Sequence, residues 1–191
     1  MEKKRISGAA VFMYSAIALT AIIAAVFLYL YYSGLYKNDL GFWIGVVSFM
    51  VFYHFGLRVF MGEVTKCFTI SYEHPWFKER SFEKTLYKWL RVRKWKDKVL
   101  TFDPDAYDFK NRTLRQLATT MAKSETDHWI NEVISLTSIL FFFLFGNLPA
   151  FIISAVAAMV FDAQFIVVQR FNRPIVLRLM NRLEKRERSC V

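Results

Sequence analysis

The apolar and polar positions of this chain fall into long blocks, unlike the short alternations of a soluble fold. Residues 7–32 carry no charged side chain, which is longer than the roughly 20 apolar residues a helix needs to cross the hydrocarbon core. A signal peptide has a shorter apolar region followed by a small-residue cleavage site, so this block predicts a retained span. Residues 40–57 form a second uncharged run that stops at Arg58, predicting a span over about 40–60. A third run, 133–161, holds Gly146-Asn147-Leu148-Pro149 near its middle. That is a strong turn signal, and it predicts a tight hairpin of two spans, 129–146 and 148–168. The expected fold is an all-α integral membrane protein, one membrane domain over 1–191 with about four transmembrane helices in two hairpins.

The segment between the hairpins, 63–128, is polar but patterned. Ser81 can cap a helix with Phe82, Leu86, Trp89 and Leu90 on one face and Lys84, Lys88 and Arg91 on others. Such a helix lies in the membrane interface. Asp103-Pro104-Asp105 breaks the chain, and Leu114, Leu117 and Met121 mark a short amphipathic helix leading to the third span. Beyond the fourth span Asn172-Arg173-Pro174 reads as a corner. Ile175, Leu179 and Leu183 then predict a surface-lying helix in the basic tail 170–191, with Arg178, Arg182, Lys185 and Arg186 on its polar side.

Composition supports the membrane class: the chain is 55% hydrophobic with a mean hydropathy of +0.25, too apolar for a typical soluble domain. Charge then orients it. Lys3, Lys4 and Arg5, the fourteen Lys/Arg between Glu63 and His128, and the seven from Arg170 onward share one face if there are four spans, leaving Lys37 on the other. The positive-inside rule puts that basic face, with both termini and the large loop, in the cytoplasm of a multi-pass cell-membrane protein. Much of the +10 net charge would then meet anionic lipids. Cys67 and Cys190 fall on that side, so no disulfide is expected. Metal-hydrolase, phosphate-loop and dinucleotide-binding signatures are all missing.

Three groups of residues can carry chemistry. Glu125 and His128 are three apart on one helix, where the carboxylate can fix the imidazole tautomer and support general-base work. The alternative is that His128 and Trp129 simply anchor the interface. A di-iron site would need a second Glu-x-x-His, so no metal is expected. Asp162 lies within a span, where ionisable residues are functional candidates by default; Gln169, seven residues on, shares its helix face, and Asn172 and Arg173 follow at the membrane exit, so that all four are candidates to bind an acceptor or a developing oxyanion. A structural ion pair is the competing account. Finally, Arg91, Arg93, Lys94 and Lys96 can grip the phosphates of a coenzyme while Trp95 stacks on its base. An anionic lipid surface explains the same charge more simply. The stretch is short and tethered to lipid, which argues against nucleic acid.

Together these pieces resemble the glycosyl-4,4'-diaponeurosporenoate acyltransferases. The matching residues are Lys88-Trp89, Val92-Arg93-Lys94-Trp95-Lys96, Lys98-Val99-Leu100, Glu125 with His128-Trp129-Ile130, and Val168-Gln169-Arg170-Phe171-Asn172-Arg173-Pro174. The first span looks additional to the family pattern, Thr101 stands where an acidic residue is expected, and Asp162 where Asn is expected. The resemblance implies transfer of a fatty acyl group from an activated thioester, acyl-CoA or an acyl carrier, to a hydroxyl of a glycosylated lipid, with no bound cofactor. The expected partners are the lipid acceptor, the acyl donor and anionic membrane lipids. A non-enzymatic lipid-binding scaffold and a transferase moving a different group are the alternatives.

Overall fold

The computed structural model describes residues 8–99, 103–108 and 110–189. Residue 7, Leu100, Thr101 and Cys190 lie outside this set. No strand occurs among the described residues, and four helices are long and apolar enough to cross a membrane.

Helix α1, Gly8–Tyr32, turns back through a loop in which Gly34 takes a left-handed φ of 81°. The side chain of Asn38 then caps α2, Asp39–Val64, by accepting from the Gly41 N–H at 3.2 Å. The two helices pack closely because α2 offers glycine where α1 offers bulk. A Cβ on Gly45 would sit 3.0 Å from the Leu28 side chain and 3.2 Å from its backbone nitrogen; one on Gly41 would sit 3.3 Å from Phe27 and Tyr36. Small residues four apart allow this kind of backbone approach between membrane helices. Gly45→Val should therefore wedge the hairpin apart and cost about 1–3 kcal/mol by overpacking. Thermal unfolding in detergent checks this, and an unchanged midpoint would contradict it.

The second hairpin begins with a capping box. Thr113 accepts from the Gln116 N–H at 3.2 Å and Gln116 accepts from the Thr113 N–H at 2.9 Å, which satisfies two donors at the helix start. Helix α5, Leu114–Thr137, passes through a 3₁₀ stretch, Ser138–Phe141, into α6, Phe142–Phe145. Gly146 at φ 72° and Asn147 at φ 56° make the expected turn, and α7 runs from Leu148 to Ser189. Helix α5 packs along α7, and α2 touches α5. An apolar layer of Val46, Met50 and Phe151, flanked by Phe49, Phe141, Phe142 and Phe145, joins the hairpins near the turn.

Three local expectations change. The short helix at Leu114 and the third span are one helix, because nothing between Leu114 and Thr137 breaks it and Leu117, Ala118, Met121, Ala122 and Glu125 are buried along it. There is no corner at Asn172-Arg173-Pro174: α7 continues through Pro174, which is buried. Proline in a helix interior normally kinks or ends it. Here the turn is held on both sides, by Arg170 and Arg173 fixed to other elements and by Val176 packed against Leu117, Ala118 and Met121. Between the hairpins, Phe82 and not Ser81 is the N-cap of α3, Glu83–Trp89. Its protein-facing residues are Glu83 and Tyr87, while Phe82 and Trp89 are exposed. Arg91, at a left-handed φ of 50°, turns the chain into α4, Val92–Trp95, anchored by the fully buried Val92.

Candidate active site

Two polar networks are buried between the helices. The deeper one centres on Asp162, which is 1% exposed. Asp162 lies about 21 Å along α7 from Leu148, and Arg58 about 28 Å along α2 from Asp39, at 1.5 Å per residue. Both therefore sit far from the turn, toward the end that bears the basic loop. Asp162 Oδ1 meets His128 Nδ1 at 2.9 Å and accepts from Asn131 Nδ2 at 3.1 Å. Its Oδ2 accepts from Arg58 Nε at 3.1 Å and from Arg58 Nη2. Arg58 is pinned further by the His54 carbonyl at 2.9 Å and Ser135 Oγ at 3.1 Å. The carboxylate is thus held by donors from α2 and α5, as a buried charge must be. His128 is less deeply buried, and its ring stacks on Phe165 with centroids 4.5 Å apart and planes 5° apart. Glu132 and His54 are buried nearby.

The second network lies further along α7. Glu125, 0% exposed, accepts from Arg170 Nε at 2.7 Å and Arg173 Nη1 at 2.6 Å. Arg170 also holds Glu83 and donates to the Trp76 carbonyl at 2.7 Å. Arg173 donates to the Phe77 carbonyl at 2.8 Å, with its guanidinium 4.8 Å from the Phe77 ring centre. Tyr87 donates to Glu83 at 3.0 Å; burial and the neighbouring carboxylate push its phenol up, so it keeps the proton it donates. These bonds clamp residues 76–87 onto α5 and α7.

The expected site residues therefore divide. His128 and Asp162 come together, but the carboxylate on His128 is Asp162 and not Glu125, whose two oxygens are taken by arginines. The i, i+3 spacing brings Glu125 near; long helical side chains lean toward the N-terminus, however, and charged guanidinium forks are the stronger partners. Arg173 belongs to the Glu125 clamp and is not turned to His128. Gln169 is 7% exposed and donates to the Tyr107 hydroxyl at 3.0 Å, and Asn172 is half-buried beyond it. On α4 and its flanks Arg91, Arg93 and Lys94 are exposed, while Lys96 pairs with Asp97 at 2.7 Å. Trp95 is half-buried and its indole N–H donates to the Leu90 carbonyl at 2.9 Å, which fixes the orientation of its ring. Arg58, Asn131 and Ser135 did not stand out in the sequence. The one available signal was an arginine at the end of an apolar run, which reads equally as a span terminus. Among the described residues no three His, Cys, Asp or Glu side chains gather as metal ligands.

The fold is that of an all-α membrane protein with a histidine–carboxylate pair near one end of its spans. The sequence profile of the glycosyl-4,4'-diaponeurosporenoate acyltransferases matches residues 73–182, and the chain belongs to that family of acyltransferases. It is 30% identical over 128 residues to the glycosyl-4,4'-diaponeurosporenoate acyltransferase of Staphylococcus aureus strain bovine RF122 / ET3-1, covering 60% of this chain and 73% of the relative. To that of strain USA300 it is 31% identical over 124 residues, covering 58% and 71%. No solved structure matches. The matched region contains α3 to α5, most of α7, and every residue of both networks except Arg58, together with its contact His54.

Proposed function

We propose that this chain esterifies a sugar hydroxyl of a glycosylated carotenoid-type lipid with a fatty acyl group, at the cytoplasmic membrane interface, using an acyl thioester as donor. The His128–Asp162 contact of 2.9 Å carries the reading. With Nδ1–H held by the carboxylate, Nε2 is the basic nitrogen, and the Asp162 charge stabilises the imidazolium that forms. The acceptor hydroxyl gives its proton to Nε2 as its oxygen attacks the thioester carbonyl. The tetrahedral intermediate collapses, the C–S bond breaks, and the departing thiolate takes the proton back from His128. The acceptor's apolar part stays among the spans, so only its sugar has to reach the histidine.

Exposed Arg91, Arg93 and Lys94 suit the phosphates of the donor and, between turnovers, anionic headgroups. Gln169 and Asn172 remain candidates to contact the acceptor. The test is mass spectrometry of lipids from membranes with and without the chain, with the glycosylated lipid supplied: a new species heavier by one fatty acyl group is expected, and an unchanged profile would reject the proposal. Neutralising Arg93 and Lys94 together should raise the donor KM several-fold with little change in kcat, as loss of uniform binding does. A fall in kcat at constant KM would rule out that role.

A further inference from the structure

The donor's head and its tail need different surroundings, and α4 touches both. On one side it presents Arg93 and Lys94 to solvent. On the other, Trp95 closes a shallow cleft of about 370 Å³ against α7, lined by Ala157, Val160, Phe161 and Gln164. These four positions are spaced as one helical face, and Val160 and Phe161 remain 66% and 46% exposed, so the cleft opens sideways, where the bilayer would be. Its lining is apolar except for Gln164, at the end nearer the basic loop. The indole cannot swing freely, because its N–H is bonded to the Leu90 carbonyl at 2.9 Å. Two ring contacts join the wall of the cleft to the candidate base: Phe161 packs edge-on against Phe165 at 5.2 Å, and Phe165 stacks on His128.

We propose that this cleft is the groove for the donor's fatty acyl chain, with the thioester end at Gln164 and the methyl end toward Ala157; the assignment rests on the acyl-transfer reading above. A single ligand with an anionic head and an apolar tail accounts for the cations and the cleft being carried by one four-residue helix. The axis from Gln164 to Ala157 is about 10 Å long at 1.5 Å per residue, so Ala157 sets how far a chain can run before it meets the bilayer or a side chain. Its small size makes it the residue that governs donor length.

The experiment uses the full chain in proteoliposomes, with saturated acyl-CoAs of graded length and a fixed acceptor. Ala157→Trp should lower kcat/KM for long-chain donors about 10–100-fold, the scale on which an apolar pocket discriminates chain length, and leave short-chain donors nearly unchanged. Ala157→Leu, a gentler substitution should the first variant misfold, should shift the optimum the same way by a smaller amount. A long-chain acyl-CoA with a diazirine near its methyl end should label the unmodified protein on α7 near Ala157 or at Trp95. Ester formation with an unmoved length profile, or a label elsewhere, overturns the groove alone. A changed preference for the acceptor instead of the donor gives the cleft to the acceptor and also overturns it. Absence of ester with any donor overturns the acyl-transfer reading itself.

Discussion

His128→Ala is expected to reduce ester formation about 10²–10⁴-fold, the usual contribution of a positioned general base, with protein abundance in the membrane unchanged. Asp162→Asn should fall between this variant and the parent. The amide oxygen can still accept from Nδ1–H and keep Nε2 as the basic nitrogen, but the charge that stabilises the imidazolium is gone. Asp162→Leu removes both and also leaves Arg58, whose side chain is 9% exposed, without its carboxylate. That variant should be inactive and poorly folded. The ordering Asn above Leu, read as turnover per folded molecule, separates an orienting carboxylate from a merely structural one. Equal activity in His128→Ala and the parent would end the general-base role.

The second large effect is on stability. Glu125→Ala should cost about 3–5 kcal/mol, because removing one member of a buried ion-pair network leaves the others charged and unpaired. Here Arg173, only 1% exposed, loses its carboxylate, and Arg170 is left with Glu83 alone. Unfolding in detergent should show the loss. Since Arg170 and Arg173 also hold the Trp76 and Phe77 carbonyls, protease cleavage within residues 76–87 should accelerate as the clamp loosens. The molecules that do fold should retain turnover. A stable Glu125→Ala protein that binds substrate but makes no ester would instead restore Glu125 to the chemistry.

The parts of this fold legible in the sequence are those written in local composition. Uncharged blocks gave the spans, and Gly146-Asn147 gave the second turn, because only a few residue types take the positive φ that both adopt. Asp162 stood out because an acid in an apolar span is costly to place. The partners of Asp162 were not legible. Arg58 comes from the first hairpin and Asn131 from α5, and no spacing rule links them to a residue on α7. Glu125 was assigned to His128 because helical periodicity reports neighbours on one helix and is silent about a guanidinium arriving from another. Pro174 was read as a stop for the same reason. Its local preference is real, but it is outweighed by Arg170, Arg173 and Val176, each held by other parts of the molecule. The bond that fixes the Trp95 ring was not legible either, because composition cannot say which way an aromatic side chain turns.

The depth of the Asp162 network has a consequence for the surrounding lipid. In the second hairpin the uncharged stretches 133–145 and 148–161 are each only about 20 Å long at 1.5 Å per residue, against roughly 30 Å of hydrocarbon in an ordinary bilayer. A bilayer meets such a mismatch either by thinning beside the segments or by taking the paired polar groups around Asp162 into its hydrocarbon level. Where it thins, the water boundary comes nearer to His128 on α5. On the acyl-transfer reading, a lipid-borne sugar and a thioester from the aqueous side would meet there without either leaving its own phase.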